Sequence, residues 1–400
     1  MRTTWTFSSA GQIIFGAGAV SQLGDVVQRL GLKRVLIVTD VKLVAAGIYD
    51  EVKSSLGALA TLDVFAGGEP EPSLRVSEQC IAHAREFKPD GLIGLGGGSN
   101  MDLAKMSATV LAHGGTPRDY VGEDKIPGPI LPLICIPTTS GTGSEVSASG
   151  VFTDKDNHIK VGAMSNYLRP LVAIVDPRLT LSCPRKVTAD SGIDAMTHAI
   201  EAFTAVDNAD FPLPPGHTSL YQGRHPLGDC LAEKAIQIIG ANLVRAVERP
   251  ADLAAREAMS LGAMLAGLAF SNVGVALVHA LEYPIGGATH CSHGAGNGML
   301  LPYVMRYNLR ARQREFAKVA QLLGEDVSKL SEVDAAERAV VAIEKLNRTI
   351  GIPARLSELG AKREQIPDFA AKALGIARLI RVNPRVPNVP EMIELLNEAY

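Results

Sequence analysis

The apolar positions of this chain change rhythm near residue 183. Before that point they form short continuous runs separated by glycine and polar clusters. Arg34-Val35-Leu36-Ile37-Val38-Thr39-Asp40 is the clearest, an apolar β-branched stretch with a polar end. Runs of this kind are the mark of parallel strands covered on both faces. Others lie at 60–65, 90–95, 131–136 and 171–175. Helical patterns stand between them: one from Ala19 to Leu30, stopped at Gly31, and one after Pro72 with Ile81 and Ala84 on its face. Residues 151–182 predict a hairpin and one more strand. Beyond Cys183-Pro184 the helical period dominates, with helices through Asp194–Glu201 and over 230–248, 251–270 and 334–350. Val340, Ile343, Leu346 and Ile350 share a face of the last, and Gly351 and Pro353 stop it. The pattern predicts an α/β domain with a mostly parallel sheet over 1–183 and an all-helical domain over 184–400. Proline-rich residues 205–229 interrupt the second domain, and a loop of that length reads as a functional lid or an interaction segment.

Composition narrows the function classes. Four hundred residues carry 39 basic and 42 acidic side chains, a net charge of −3, which gives no bias toward nucleic acid or an anionic membrane. Five cysteines with no Cys-x-x-Cys pair argue for a reducing cytoplasm rather than a disulfide framework. The first ten residues hold no apolar run, so no secretory signal is expected there, and no membrane-spanning helix is expected elsewhere.

Candidate chemistry sits where the strands end. Gly96-Gly97-Gly98-Ser99-Asn100-Met101-Asp102 follows a strand and opens a helix, so backbone amides and a helix N-terminus can meet a phosphate. It is not the G-x-G-x-x-G fingerprint. Pro137-Thr138-Thr139-Ser140-Gly141-Thr142-Gly143-Ser144-Glu145 follows the next buried strand and offers hydroxyl and amide donors. Two such loops after successive strands point to a dinucleotide. Asp40, at the end of its strand, either binds an adenosine ribose or caps a helix. Lys160 either reaches a cofactor phosphate or ribose or lies on the surface.

In the second half, Asp194 and His198 are four residues apart on one helical face. His279 and His293 can complete a metal shell, with His290 as a rival to His293. Three imidazoles and a carboxylate suit iron or zinc.

These motifs together resemble the iron-containing (group III) alcohol dehydrogenase family. The matching residues are Gly96-Gly97-Gly98-Ser99 with Asp102, the 137–145 loop through Ser144, Asp194-x3-His198, His279, His293-Gly294 and a late Asn383-Pro384-Arg385. The resemblance implies a dehydroquinate synthase-like fold: a nucleotide-binding α/β domain, an all-α metal domain, and a cleft between them. It assigns Asp194, His198, His279 and His293 as metal ligands, for Fe²⁺ or alternatively Zn²⁺. It assigns Gly97, Gly98, Ser99, Thr138, Thr139 and Thr142 to NAD, with Asp40 disfavouring NADP. The implied reaction is reversible hydride transfer between a primary alcohol or hydroxyacid and nicotinamide, with the metal as Lewis acid, in a homodimer or larger assembly. One position departs from the pattern. Many members carry a second histidine four residues after the third ligand, and this chain has Tyr283. That context and the 205–229 segment resemble the hydroxyacid–oxoacid transhydrogenase branch, which passes hydride from 4-hydroxybutyrate to 2-oxoglutarate through bound NAD. Arg224 or His225 then becomes the expected anchor for a substrate carboxylate.

Overall fold

The computed structural model describes residues 2–156, 159–213 and 219–400. It contains two compact units, Ser8–Cys183 and a second formed by Met1–Phe7 with Pro184–Tyr400. Chain order alone would keep the first seven residues with the sheet. Their contacts are instead with the helical unit: Arg2 N donates to Ala209 O at 3.0 Å, and Thr6 and Gln222 exchange two 2.9 Å hydrogen bonds.

Among the described residues the first unit holds nine strands: β1 (Gln12–Phe15), β2 (Arg34–Val38), β3 (Thr61–Phe65), β4 (Gly91–Gly96), β5 (Gly122–Glu123), β6 (Leu133–Pro137), β7 (Ser149–Asp154), β8 (Ile159–Met164) and β9 (Val172–Val175). Six of them form one sheet in the order β1-β9-β6-β4-β2-β3, parallel throughout. The apolar runs that predict these strands are covered on both faces. Leu36, Val38, Leu92, Leu133 and Cys135 pack on one side, and Val35, Ile37, Ile93, Leu95, Ile134 and Ile136 on the other. The hairpin β7–β8 pairs with β5 in a separate small sheet. Two helices between β2 and β3, Val41–Ala45 and Ile48–Leu56, are absent from the pattern reading. The first has five residues and buries none of them, so it leaves no period to detect.

The strand order places the ligand-binding edge. From β2 the chain steps outward to β3, then returns to the opposite side of β2 to form β4. In open α/β sheets ligands bind at the carboxyl ends of strands beside such a reversal. Asp40 follows β2, Gly96 ends β4 with Gly97–Ser99 after it, and Thr138–Thr142 follow β6, so the three predicted segments leave three adjacent parallel strands at the same end.

The second unit is helical around Arg185–Thr204, in which every residue from Gly192 to Thr204 is buried. Pro226–Glu248 and Leu253–Val273 pack on it. A Cβ at Gly192 would lie 2.2 Å from Leu243, and one at Gly262 2.6 Å from Ile239, so glycine sets these close crossings. Pro226–Glu248 begins earlier than residue 230 because His225 caps it and Pro226 takes the first turn. Leu253–Val273 is long and apolar enough to cross a membrane by length and composition, contrary to the expectation that no such stretch exists. Two-thirds of its apolar window (67%) is buried inside the protein, as in a core helix.

Candidate functional site

Three helices of the second unit carry the metal candidates. Arg185–Thr204 presents Asp194 and His198 one turn apart. Leu277–Thr289 brings His279, and His293 opens the helix His293–Asn308. The approach of the last helix explains the glycine after His293. A Cβ at Gly294 would stand 2.0 Å from Asp190 O, and one at Gly298 2.8 Å from Ile193, so any side chain at 294 would push His293 off the site.

The four predicted ligands converge. The Nε2 atoms of His198, His279 and His293 each lie 3.9 Å from Asp194 Oδ1. Ligand atoms of Asp194, His198 and His279 fall within 4.8 Å of one another. Tetrahedral donors at bonds of roughly 2.1 Å stand about 3.4 Å apart, so this is the spacing of atoms sharing an ion, too long for direct hydrogen bonds. The donor set of three imidazole nitrogens and one carboxylate fits Fe²⁺ or Zn²⁺. Asn297 supplies a second test of fit. Its Nδ2 donates to Asp194 Oδ1 at 2.8 Å and lies 3.1 and 3.2 Å from the Nε2 atoms of His279 and His293. One small group thus reaches three of the four donors, so these donors face a common centre. Burial by itself raises the pKa of Asp194; the facing histidines and the Asn297 hydrogen bond outweigh it, and the carboxyl lies below its ordinary value. His290 is not part of the group: it ends Leu277–Thr289 in a left-handed conformation, φ 56°.

Two further acids join the centre that the sequence reading passed over. Glu201 Oε2 meets His279 Nδ1 at 2.5 Å while its Oε1 accepts the Val278 amide at 2.7 Å, so it also caps the helix that carries His279. Glu282, buried completely, meets His293 Nδ1 at 2.6 Å. A carboxylate on Nδ1 leaves Nε2 unprotonated and facing the ion. The signal was present in the chain as a repeated phrase, His198-Ala-Ile-Glu201 and His279-Ala-Leu-Glu282.

In the first unit, Gly97 caps Gly98–His113 without a side-chain hydrogen bond, so the opening amides of that helix carry no side-chain cap. A Cβ at Gly98 would meet Thr142 at 2.8 Å, and one at Gly97 would meet Thr139 at 3.5 Å. The two loops therefore abut, with Gly97, Ser99, Thr139 and Thr142 partly exposed and Thr138 buried beneath them. A backbone cradle bordered by hydroxyls fits a pyrophosphate. Gly96 adopts φ +141°, and a Cβ there would strike Asn100 Nδ2 at 2.2 Å.

Other predicted residues brace this cradle. Asp102 accepts from Ser144 Oγ at 2.7 Å and from Val151 N at 2.8 Å. Lys105, fully buried and missing from the sequence reading, donates to Ser144 Oγ, Ser147 O and Ser149 O at 2.8–3.1 Å. It pins the Thr/Ser loop to the helix. Asp40 does cap a helix, accepting from Lys42 N and Leu43 N through Oδ1, and its Oδ2 accepts from Asn100 Nδ2 at 2.8 Å. Lys160 is not a surface lysine: its side chain is buried and pairs with Glu71 at 2.8 Å.

The proposed carboxylate anchors are engaged elsewhere. Arg224 is held by Asp229 at 3.0 Å, Glu315 at 2.6 Å and Asp207 at 3.5 Å, which neutralises it locally. His225 stacks on Trp5 at 4.4 Å and caps a helix. Residues 214–218 of the expected lid lie outside the described residues. Its described flanks are tied down, with Gly223 N donating to Val273 O and Arg224 N to Val206 O. Tyr283 is buried with its ring 6.2 Å from that of His293.

Comparison with known proteins agrees with this chemistry. Residues 10–177 match the iron-containing alcohol dehydrogenase family, and residues 220–400 match the C-terminal domain of the same family. The NAD-dependent methanol dehydrogenase of Bacillus methanolicus is 37% identical, covering 96% of this chain and 97% of its own. Long-chain-alcohol dehydrogenase 1 of Geobacillus thermodenitrificans is 40% identical over 96% of this chain and 93% of its own. A crystal structure of a 1,3-propanediol oxidoreductase superposes with a TM-score of 0.93 at 35% identity, covering 100% of both chains. A largely buried Asp–His₃ centre in a helical unit, glycine and threonine loops at the ends of a parallel sheet, and family matches over most of the sequence lead to one statement: the chain belongs to the iron-containing alcohol dehydrogenases, NAD-linked oxidoreductases acting on CH–OH groups.

Proposed function

We propose that this protein catalyses reversible, NAD-linked oxidation of small primary alcohols at an iron centre formed by Asp194, His198, His279 and His293. The observation that carries this is the convergence of three Nε2 atoms on Asp194 Oδ1, each at 3.9 Å. When bound, the ion supplies Lewis acidity to the alcohol oxygen and NAD supplies the hydride-accepting carbon. The chain's own residues do the rest. Glu201 and Glu282 fix two ligand histidines with Nε2 outward. The amides of Gly98 and Ser99 and the hydroxyls of Thr139 and Thr142 hold the pyrophosphate. Asp40 accepts from the adenosine ribose and repels a 2′-phosphate. Tyr283 stands where many members carry a histidine, and a phenol is the weaker base at neutral pH. A cytoplasmic location, in keeping with five free cysteines, and a homodimeric or larger assembly complete the reading.

The test is NADH formation by anaerobically purified, Fe²⁺-loaded protein offered methanol, a long-chain alcohol or 1,3-propanediol. Turnover with NAD, abolished in His279→Ala and in chelated protein, is expected. Turnover that survives loss of the metal ligands sinks the assignment. Adding 4-hydroxybutyrate with 2-oxoglutarate and no free NAD to the same series tests the transhydrogenase branch, which expects reaction only under that condition.

A further inference from the structure

The three helices of the metal centre hold one another's ligands in a closed circuit. Glu201, on Arg185–Thr204, grips His279 on Leu277–Thr289. Glu282, on that second helix, grips His293 on His293–Asn308. Asn297, on the third, grips Asp194 back on the first. No ligand in this circuit is steadied only by its own helix. We propose that Glu282 is a positioning residue for the metal: it fixes the ring plane and tautomer of His293 and closes the circuit that holds Asp194, His279 and His293 in register. The inference rests on the metal reading above.

Three observations support it. His293 is the first residue of its helix, so the turn before it gives no helical scaffold, and its side chain is the most exposed of the four ligands at 24%. It therefore needs an outside brace more than the other three do. Glu282 is buried completely, a position an acid holds only against strong partners, and its Oε2 lies 2.6 Å from Nδ1 of that histidine. The neighbouring helix is also cut to fit it: a Cβ at Gly296 would lie 2.9 Å from Glu282 Cγ, so glycine at 296 leaves room for the glutamate arm. His198, by contrast, is steadied by stacking, with Phe270 at 4.2 Å and His279 at 4.8 Å between ring centroids.

The experiment uses Co²⁺ as probe on the full-length metal-free protein. Affinity is read by competition with a chelator, geometry by the visible d–d bands, and folding by the melting temperature without metal. Glu282→Gln keeps the shape and removes the charge. The expected result is an affinity loss of about 10- to 100-fold with altered d–d bands and a metal-free melting temperature close to the parent's. Parental affinity and spectrum in Glu282→Gln overturn the proposal, as does a fall in metal-free stability large enough to account for the weaker binding. If that variant does not fold, Glu282→Asp, which keeps the charge and draws it back by one methylene, is measured in the same three ways, and the same two results overturn the proposal. Failure of the parent protein to bind Co²⁺ sinks the metal assignment itself, a result distinct from either.

Discussion

At the scale of the residue, Gly97 separates a folding role from a binding one. Its φ is −73°, and a Cβ built there meets nothing nearer than Thr139 Oγ1 at 3.5 Å. Alanine therefore suits the backbone and the packing. If the Gly98–His113 N-terminus receives the pyrophosphate, the same methyl stands in the path of the anion. Gly97→Ala is expected to leave the melting temperature within a degree or two and to weaken NAD binding by at least about tenfold, an effect of roughly 1.4 kcal/mol. Unchanged NAD affinity in calorimetry places the phosphate elsewhere. Asp40 has two duties at once, since Oδ1 caps Val41–Ala45 and Oδ2 accepts from Asn100. Asp40→Ser keeps a capping oxygen and removes the charge, so NADP should become a usable cofactor while the fold persists. A kcat/KM ratio for NAD over NADP equal to the parent's excludes Asp40 from cofactor choice. These residues were legible because they stand at fixed places relative to strand ends. Lys105 was not, because a lysine in an apolar helix reads as a solvent-facing break. Only the fold shows three serines whose oxygens accept from it.

At the scale of the element, the helix Pro226–Glu248 is a pH-dependent part. His225 Nδ1 accepts the Gly228 amide at 3.1 Å, and only an unprotonated Nδ1 can do so. Burial lowers the pKa of His225 from the ordinary 6.5. A histidine depressed in the folded state adds its stability in full above the unfolded value and loses it as pH falls through the folded one. The helix start should therefore weaken by about 1 kcal/mol, the usual worth of a cap, below pH 6.5. Trp5, the only tryptophan, lies on the His225 ring at 4.4 Å with planes 8° apart, so its emission reports the change. A fluorescence titration is expected to show a midpoint below 6.5 that disappears in His225→Asn, which keeps the cap and cannot titrate. A midpoint that persists in the variant removes His225 as the cause. This element also shows where pattern fails. The helical period was clear, but its start was missed because histidine is an unusual cap and the preceding prolines mask the transition. The helix Glu332–Ile350, with its marked apolar face, announced its Gly351 stop, and its Ser331-capped start lies only two residues before the expected 334. The five-residue helix after Asp40 announced neither.

At the scale of the whole molecule, the proposed metal donors and the proposed nucleotide loops belong to different compact units. Sequence pattern alone put the change of texture at Cys183, because buried parallel strands and amphipathic helices have different periods. It could not show that residues 1–7 cross to the helical unit, since that pairing spans more than two hundred positions through Thr6 and Gln222. The division has an energetic consequence. A ligand that binds only the native state stabilises what it binds, by about 2.7 kcal/mol at a concentration one hundred times Kd, and that protection appears first in the segments it holds together. Metal loading should therefore slow amide exchange in Arg185–Thr204, Leu277–Thr289 and the start of His293–Asn308, the three helices linked through Glu201, Glu282 and Asn297. NAD, added without metal, should slow exchange at residues 96–101 and 138–144, where the Gly98 and Thr142 loops abut. The measurement is hydrogen–deuterium exchange on the same protein with each ligand alone. Metal-dependent protection confined to the sheet unit, or NAD-dependent protection confined to the three helices, would falsify the assignment of each ligand to its residues. The expected pattern gives each unit its own ligand and makes the loops after β4 and β6, together with the circuit around Asp194, the parts of the fold whose stability depends on being occupied.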